Sequence, residues 1–176
     1  MEVWDLYDKD RNKLSETMIR GETQREGTYR IVVHICIFNS KGEMLIQQRQ
    51  PFKKGWPNLW DVSVGGNAIS GDSSLQAAAR ELKEELGLDI DFSMMRPSMT
   101  IDFPLGFDDV YIIHKDLDIT QLKLQYEEVQ RVKWADLKEV LRLLDQGEFI
   151  PYHRSFLELI FFMRDHEGAH TSTDQA

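Results

Sequence analysis

Cysteine is almost absent from this chain of 176 residues, which contains only one, Cys36. A single cysteine cannot form an internal disulfide, and the lack of disulfides is usual for a cytoplasmic protein. Long hydrophobic runs are also missing, because the longest apolar stretches, IVVHICIF and LELIFFM, are far too short to span a bilayer. The N-terminus, MEVWDLYDKD, has neither the basic start nor the apolar run of a signal peptide. We therefore expect a cytoplasmic protein.

Basic residues are scarce relative to acidic ones, with 21 Lys and Arg against 30 Asp and Glu and a formal net charge of -9. This charge disfavours broad contact with a nucleic-acid backbone or an anionic membrane, so a polyanionic substrate needs local basic residues or metal ions. A composition with 41% hydrophobic and 29% charged residues is typical of a globular protein. The length predicts a single domain over residues 1–166, followed by a polar, disordered tail over residues 167–176.

The order of the predicted elements indicates an α/β fold. WDLYD followed by DKDRNK is typical of a short strand and a polar turn, and YRIVVHICIFN and MLIQQR are typical of two strands joined by a turn. After a loop-rich passage that contains the strand-like WDVSV, further strands are predicted at LDIDFS, MTIDFPL, DVYIIHKDL and EEVQRVKWADL. Two amphipathic helices, DLKEVLRLLDQG and HRSFLELIFFMRD, come last. This order suits a mixed β-sheet covered by helices.

One helix is strongly predicted between the strands, over about residues 73–86. Ser73 and Gln76 can form a capping box, and Gly87 is a suitable terminator. At about 100° per residue, one apolar stripe of this helix contains Leu75, Ala78, Ala79, Leu82 and Leu86. The other side brings together Glu81, Glu84 and Glu85.

These three glutamates should repel one another, because like charges three and four residues apart are direct neighbours on a helix. One explanation is a solvated acidic face, helped by Arg80 and Lys83. The other is a divalent hard cation held by carboxylate oxygens. Mg²⁺ or Mn²⁺ suits such a site better than zinc, since no cysteine or histidine cluster lies nearby in the sequence.

The residues before the helix favour the metal site. Residues 66–88, GNAISGDSSLQAAARELKEELGL, resemble the Nudix box, G-x5-E-x7-R-E-U-x-E-E-x-G-U, in which U is a bulky aliphatic residue. The positions that match are Gly66, Arg80, Glu81, Leu82, Glu84, Glu85, Gly87 and Leu88. Only Asp72 departs from the pattern, where the family has glutamate; Asp72 keeps the charge and could cap the helix.

The resemblance implies the Nudix α/β/α fold and a hydrolase that cleaves a nucleoside diphosphate linked to another moiety. Glu81, Glu84 and Glu85 would bind Mg²⁺ or Mn²⁺, and the carbonyl of Gly66 is a further candidate ligand. Arg80 would orient a glutamate through charge-assisted hydrogen bonds. Any of the three glutamates could be the general base, and we favour Glu81 or Glu85 for tight metal binding and Glu84 as a second ligand.

Some relatives recruit another acid from a later loop. The candidates here are Asp108, Asp109, Glu127 and Glu128. An ordinary surface acid is the simpler interpretation of each.

A second resemblance concerns LIQQRQPFKKGWPNLWDVSVGG, which is similar to a segment of the isopentenyl diphosphate isomerases, a Nudix-fold branch that rearranges an allylic diphosphate. This resemblance implies that Arg49, Lys53 or Lys54 contacts the diphosphate, although exposed loop lysines are the alternative. The isomerases need a cysteine and a metal-binding histidine where this chain has Gly65 and Asn67. Its own cysteine, Cys36, lies in an apolar strand where a packing role is expected. An isomerase-like hydrolase is therefore the better description.

Aromatic residues give further candidates for substrate contact. Five aromatic residues could stack on a nucleobase or cover an apolar tail: Phe52, Trp56, Trp60, Phe107 and Tyr111. Core packing is expected for Trp60 and Tyr111, and the favoured candidates are Trp56 and Phe107, beside Gly and Pro in predicted loops. The C-terminal helix is expected to pack in the core or at a homodimer interface. The expected partner is a small-molecule diphosphate, and two alternatives to the hydrolase stay open: the isomerase, and a nucleotide-ligand sensor without turnover.

Overall fold

The computed structural model describes residues 2–166 and 168–170. The strands, in chain order, are β1 (Val3–Tyr7), β2 (Lys13–Ile19), β3 (Arg30–Phe38), β4 (Met44–Arg49), β5 (Trp60–Asp61), β6 (Val64–Asn67), β7 (Met99–Phe103), β8 (Gly106–His114) and β9 (Val129–Ala135). The helices are α1 (Ser74–Leu86), α2 (Leu137–Asp145) and α3 (Arg154–Met163), with a 3-10 turn at Ile119–Gln121. These elements confirm the predicted α/β class.

The chain divides into two compact units, of which the first comprises Met1–Ile35 and Val64–Tyr111, and the second Cys36–Ser63 and Ile112–Ala176. Strands β3 and β8 contribute residues to both. The single domain predicted over residues 1–166 stays a prediction. Of the predicted tail, residues 168–170 are exposed, and residues 167 and 171–176 lie outside the described part of the chain.

The first unit begins with an antiparallel hairpin of β1 and β2, in which Val3 pairs with Ile19 and Trp4 with Met18. Its apolar side chains form a small core of their own, made by Trp4, Leu6 and Met18, with Leu14 and Ile69 packed against it. The turn is fixed by Asp8, whose carboxylate accepts the backbone N–H groups of residues 10 and 12 at 2.9 Å. The predicted strand and polar turn are thus confirmed.

In the same unit, β3 pairs antiparallel with β6 from Val32 opposite Asn67 to Ile35 opposite Val64. Strand β8 lies beside β3 and pairs antiparallel with β7. Along this part of β3, buried and half-buried residues alternate, as the two-residue repeat of a strand requires. Strand β6 is also in contact with α1, the helix that follows it.

Helix α1 follows the sequence prediction closely at its ends. The side chain of Ser73 accepts the N–H of Gln76, the Gln76 side chain accepts the N–H of Ser73, and Gly87 ends the helix in a left-handed conformation at φ 69°. One prediction was wrong: Glu85 does not lie on the far side from the core but is buried. Because Glu85 is three residues after Leu82 and seven after Ala78, it extends the buried stripe of the helix.

The second unit is organised around β4, which pairs antiparallel with β5, β9 and the end of β3. Helices α2 and α3 pack on each other, and Asp136 caps the N-terminus of α2 by accepting the N–H of Glu139. The largest fully buried side chains of this unit are Phe38, Phe149, Ile37, Met44, Leu45, Ile46, Leu143 and Leu157. In α3 the buried residues are Leu157, Ile160 and Phe161, as expected for a helix that packs in a core.

The strand predicted at LDIDFS is absent, because residues 88–98 of the described chain form no regular element. Asp91 accepts the N–H of Ser93 at 2.8 Å, a local turn that competes with strand pairing. Phe92 instead anchors the segment by packing edge-on against Tyr111, with ring centroids 5.6 Å apart. Among the described residues, no helix has the length and apolar character needed to cross a bilayer.

Candidate functional site

Arg80 is the centre of a hydrogen-bonded cluster at one face of α1. Its Nε donates to Asp72 at 2.9 Å, and its Nη1 donates to Glu81 at 2.9 Å and to Glu84 at 3.2 Å. Its Nη2 donates to the backbone carbonyl of Asn67 at 2.9 Å, so the guanidinium connects the helix to β6. Burial lowers the pKa of Arg80 and the surrounding carboxylates raise it, with a net increase that keeps the side chain charged. These contacts support the predicted role of Arg80 in orienting a glutamate.

Gly66 lies directly beneath the carboxylate of Glu81. A Cβ atom added to Gly66 would overlap the carboxylate carbon and both oxygens of Glu81, so any other residue at this position requires the glutamate to move. Gly66 is held in β6 by its pairing with Val33. The close approach gives a physical reason for glycine at the first position of the box.

The environment of Glu81 is unfavourable for the charge of its carboxylate. Only 13% of its side chain is exposed, and burial raises its pKa to about 7, against the lowering effect of Arg80. The nearby charges of Glu84 and Glu2 contribute to this increase in pKa. A buried carboxylate that a single arginine does not fully compensate is stabilised by an additional cation.

The three glutamates differ strongly in exposure. Glu84 has half of its side chain exposed, at 50%, whereas Glu85 is 4% exposed. In the part of the chain that the structure describes, no group of three or more His, Cys, Asp or Glu side chains is arranged to hold a metal ion. Arg80 gathers Glu81 and Glu84, whereas Glu85 is buried. The donor set nevertheless fits a hard divalent cation, because carboxylate oxygens and the Gly66 carbonyl are the ligand types that Mg²⁺ and Mn²⁺ prefer.

Asp72 does not cap α1, so that suggested role was wrong. Ser73 occupies the cap position, and the Asp72 carboxylate instead accepts from Arg80. The two residues are eight apart, about two helical turns, and the arginine side chain spans this distance back to the loop. The shorter aspartate therefore serves the cluster as a partner of Arg80.

Two of the acids considered as additional bases, Asp108 and Asp109, lie in β8 rather than in a loop. Asp108 is 3.2 Å from the Nε2 atom of His34. Asp109 is fully buried and accepts two hydrogen bonds from Arg11, at 2.9 and 2.7 Å, together with one from Thr100 at 2.6 Å. Asp109 is thus engaged in a structural ion pair.

The other two acids belong to the second unit. Glu128 pairs with Lys53 at 2.5 Å, and Glu127 is exposed. In the same unit, the predicted diphosphate-binding residues differ in how far they are engaged. Arg49 donates to the carbonyl of Gly55 at 3.1 Å, whereas Lys54 is exposed and pairs with no acid among the described residues.

The predicted aromatic candidates have different environments. Trp56 is 53% exposed and has a left-handed backbone conformation at φ 49°, as a loop residue available for contact. Phe107 was wrongly assigned to a loop, because it lies in β8, is 5% exposed, and packs 5.5 Å from the ring of Tyr29. Trp60 and Tyr111 are buried, as expected for core residues.

One of the aromatic candidates, Phe52, forms an exposed pair with Tyr126, a pairing that was not predicted from the sequence. Phe52 and Tyr126 lie 5.8 Å apart, and 56% and 70% of their surfaces are exposed. The two residues are distant in sequence, so only the fold brings them together.

The thiol chemistry of the isomerases has no counterpart in this site. Cys36 is completely buried in β3, and burial raises the pKa of its thiol, which makes it a poor nucleophile. Gly65 and Asn67 lie in β6, and the side-chain oxygen of Asn67 accepts from Arg30 at 3.2 Å. The expected packing role of Cys36 is consistent with this position.

The α/β fold and the helix that carries these carboxylates define an enzyme of the pyrophosphohydrolase class. The model of the NUDIX domain family matches residues 28–159, and the chain therefore belongs to this family. It is 46% identical over 170 residues to an uncharacterized Nudix hydrolase of Listeria innocua, with 97% of this chain and 99% of that protein covered. The crystal structure of DR0079 from Deinococcus radiodurans superposes with a TM-score of 0.73 at 26% identity, covering 90% of this chain and 97% of that one. The predicted Nudix-type fold is confirmed.

The resemblance to the isomerase branch is also confirmed. The chain is 32% identical over 114 residues to an isopentenyl-diphosphate Delta-isomerase of Escherichia coli. The aligned region covers 62% of this chain and 63% of that protein.

Proposed function

We infer that this Nudix hydrolase cleaves a diphosphate linkage in a nucleoside diphosphate joined to another moiety, by attack of water and with a divalent cation as cofactor. The observation that carries this proposal is the cluster in which Arg80 holds Glu81 and Glu84 while the Glu81 carboxylate rests on the backbone of Gly66. On a solvated acidic face, Glu81 would be exposed, and no glycine would be needed at position 66 to make room for its carboxylate. The partly buried Glu81 favours a cation site instead.

The residues that would hold Mg²⁺ or Mn²⁺ are Glu81, Glu84 and Glu85, with the carbonyl of Gly66. When bound, such an ion neutralises diphosphate charge and lowers the pKa of a coordinated water. Arg80 keeps Glu81 and Glu84 oriented through charge-assisted hydrogen bonds. One of the three glutamates removes the proton from the attacking water, and the choice among them stays open.

Substrate contacts by Arg49, Lys53, Lys54 and Trp56 stay predictions, supported by the resemblance of their segment to the isomerases. Phe107 is withdrawn from this set because its ring is buried. The acidic net charge of -9 supports a small-molecule substrate over a nucleic acid. A homodimer through α3 and a cytoplasmic location likewise stay predictions.

The test is cleavage of a panel of diphosphate compounds, namely nucleotide sugars, dinucleoside polyphosphates, nucleoside triphosphates, coenzymes and prenyl diphosphates. Release of phosphate, pyrophosphate or nucleoside monophosphate is measured in millimolar Mg²⁺, with and without a chelator. We expect cleavage that the chelator abolishes, and loss of turnover in Glu85→Gln with the fold retained. The matched control is Asp89→Asn, which removes an exposed acid just beyond α1 and should retain wild-type turnover. An unchanged rate in folded Glu85→Gln would refute the metal-site assignment.

The isomerase is the second candidate, favoured by the similarity to the Escherichia coli enzyme. It is opposed by Gly65 and Asn67 at the positions that would need cysteine and histidine. Incubation with isopentenyl diphosphate separates the two candidates, because an isomerase yields the allylic isomer without releasing phosphate. A folded protein that binds Mn²⁺ but transforms none of these compounds would instead support the ligand sensor.

A further inference from the structure

Asp5 is a buried acid in β1, outside the Nudix box. Only 4% of its surface is exposed. One carboxylate oxygen accepts the hydroxyl of Ser70 at 2.8 Å, and the other accepts the backbone N–H of Gly71 at 2.8 Å. The second oxygen also pairs with Lys13 at 2.6 Å. Two of the three partners of Asp5 thus belong to the loop that leads into α1.

Further contacts join the same hairpin to the same loop. The backbone N–H of Ser70 donates to the carbonyl of Val3 at 2.7 Å. Ile69 packs against the apolar cluster of Trp4, Leu6 and Met18. Residues 69–71 are therefore held by the hairpin through backbone, side-chain and apolar contacts.

This loop leads directly to the catalytic cluster. Gly71 has a left-handed backbone at φ 96°, and the N–H of Asp72 closes the turn on the carbonyl of Ile69 at 2.9 Å. The carboxylate of Asp72 then accepts from Arg80, and Arg80 holds Glu81. A chain of short contacts thus runs from Asp5 through the turn to the partly buried carboxylate of Glu81.

We propose that Asp5 is a positioning residue of this hydrolase, which fixes the Ser70–Gly71 turn and thereby the orientation of Asp72, Arg80 and the Glu81 carboxylate. The hairpin lies before residues 28–159, the range that the family model matches. The catalytic unit of this protein therefore extends beyond the family domain. The inference rests on the proposed function, because its test measures binding of a divalent metal ion to the proposed site.

Removal of the Asp5 carboxylate leaves the Gly71 N–H and the Ser70 hydroxyl without their acceptor inside the protein. Ser70 and Gly71 are themselves exposed, so water can replace this acceptor, but the turn then loses the two hydrogen bonds that fix it to β1. Outer residues that orient metal ligands typically change metal affinity or activity by about 10- to 100-fold when they are removed. A residue that only stabilises the fold would lower the melting temperature without this change.

The experiment compares Asp5→Ala with Glu16→Ala, a matched control that removes an exposed acid of the same hairpin together with its ion pair to Arg25. Mn²⁺ binding to the metal-free protein is measured by electron paramagnetic resonance, and exchange of the Gly71 amide hydrogen by NMR. Asp5→Ala should bind Mn²⁺ about 10-fold more weakly and exchange the Gly71 amide faster. Glu16→Ala should match the wild type in both. Wild-type Mn²⁺ affinity in folded Asp5→Ala would overturn the proposal.

Lys13→Met separates the ion pair from the turn contacts, because it leaves both hydrogen bonds from the loop to Asp5 in place. It should keep wild-type Mn²⁺ affinity; a loss equal to that of Asp5→Ala would mean that hairpin stability, not the turn, is responsible. If Asp5→Ala does not fold, Ser70→Ala removes one hydrogen bond of the same pair and should still weaken Mn²⁺ binding. Unchanged affinity in folded Ser70→Ala would then count against the positioning role.

Failure of this inference is distinguishable from failure of the proposed function. A wild-type protein that neither binds Mn²⁺ nor cleaves any diphosphate would refute the hydrolase mechanism and, with it, the metal part of this inference. A wild-type protein that does both, with an Asp5→Ala variant equal to it, would refute the inference alone.

Discussion

The carboxylate of Glu81 rests on the backbone of Gly66 with no room for a methyl group between them. This contact joins the last strand before the loop to the helix that carries the glutamates. An anionic carboxylate held against the strand in this way is favourable only with a donor or a cation nearby. Arg80 supplies the donor in this structure.

We expect Gly66→Ala to displace Glu81 and to lower Mg²⁺-dependent turnover by about 10-fold or more. The added methyl group must push the carboxylate aside, which should also cost about 1–3 kcal/mol of unfolding free energy. The measurements are steady-state kinetics across Mg²⁺ concentrations and urea unfolding.

Gly65→Ala is the matched control for this variant. A Cβ atom on Gly65 would meet its nearest neighbour, the Nδ1 atom of His34, at 3.5 Å, an ordinary contact. Turnover should therefore stay near the wild-type rate. Equal losses in both variants would show that the strand, and not the contact with Glu81, is responsible.

The sequence predicted best what depends on neighbours along the chain. The ends of α1 follow from Ser73, Gln76 and Gly87, which act within one turn of the helix. The glutamate pattern of the box was found for the same reason. Glu85 was predicted on the polar side of α1 because a charged residue at the border of an apolar stripe is normally exposed. In the folded protein, packing around the helix buries it.

Contacts between distant residues could not be predicted from one sequence. Asp5 and Gly71 are 66 residues apart, and nothing in either segment indicates the other. Phe107 was assigned to a loop because glycine and proline precede it, yet only Pro104 lies in the turn, and Gly106 is already the first residue of the buried strand β8. The strand predicted at LDIDFS was wrong for the same reason, a contact between residues distant in sequence: Phe92 packs against the ring of Tyr111.

The buried pair of Arg11 and Asp109 predicts how stability depends on pH. Burial raises the pKa of Asp109, but hydrogen bonds from Arg11, Ser74 and Thr100 outweigh it and hold the pKa below the usual 3.8. A carboxyl whose pKa is lowered by folding stabilises the protein above its unfolded pKa, and this contribution is lost as the pH falls through the folded pKa. We therefore expect the stabilisation by Asp109 to be complete at neutral pH, to decline as the pH falls below about 3.8, and to be lost as the pH falls through the lower pKa of the folded state.

Asp109→Asn should lower the unfolding free energy at pH 7 by about 2 kcal/mol. This is less than for a fully buried pair, because Arg11 is 35% exposed and water screens its charge. Urea unfolding at pH 7 and near pH 3 measures the difference, which should shrink at the lower pH. Asp10→Asn, an exposed acid in the hairpin turn, should show no such change. A difference that is constant with pH would contradict the ionic origin.

Cys36 should be dispensable for activity. Its thiol is completely buried, and burial raises its pKa, so the reactive thiolate is disfavoured. Cys36→Ala should keep turnover within about twofold and cost about 1 kcal/mol of stability through the lost packing. A thiol reagent should label the wild type in urea but not in the native state. Complete loss of activity in a folded Cys36→Ala variant would restore thiol chemistry as a mechanism.

Lys53 and Lys54 offer a test of diphosphate contact in which the two residues serve as controls for each other. Lys53 is paired with Glu128, whereas Lys54 has no acidic partner among the described residues and is the freer charge for a substrate. If Lys54 contacts the diphosphate equally in the ground state and the transition state, Lys54→Met should raise KM with kcat unchanged. A loss of one exposed contact to a charged group predicts an increase in KM of about 3- to 10-fold, diminished by added salt.

Lys53→Met should change KM less, because its charge is already compensated. An effect confined to Lys53 would instead mean that substrate displaces Glu128 from its lysine, and wild-type kinetics in both variants would remove these two residues from the binding site.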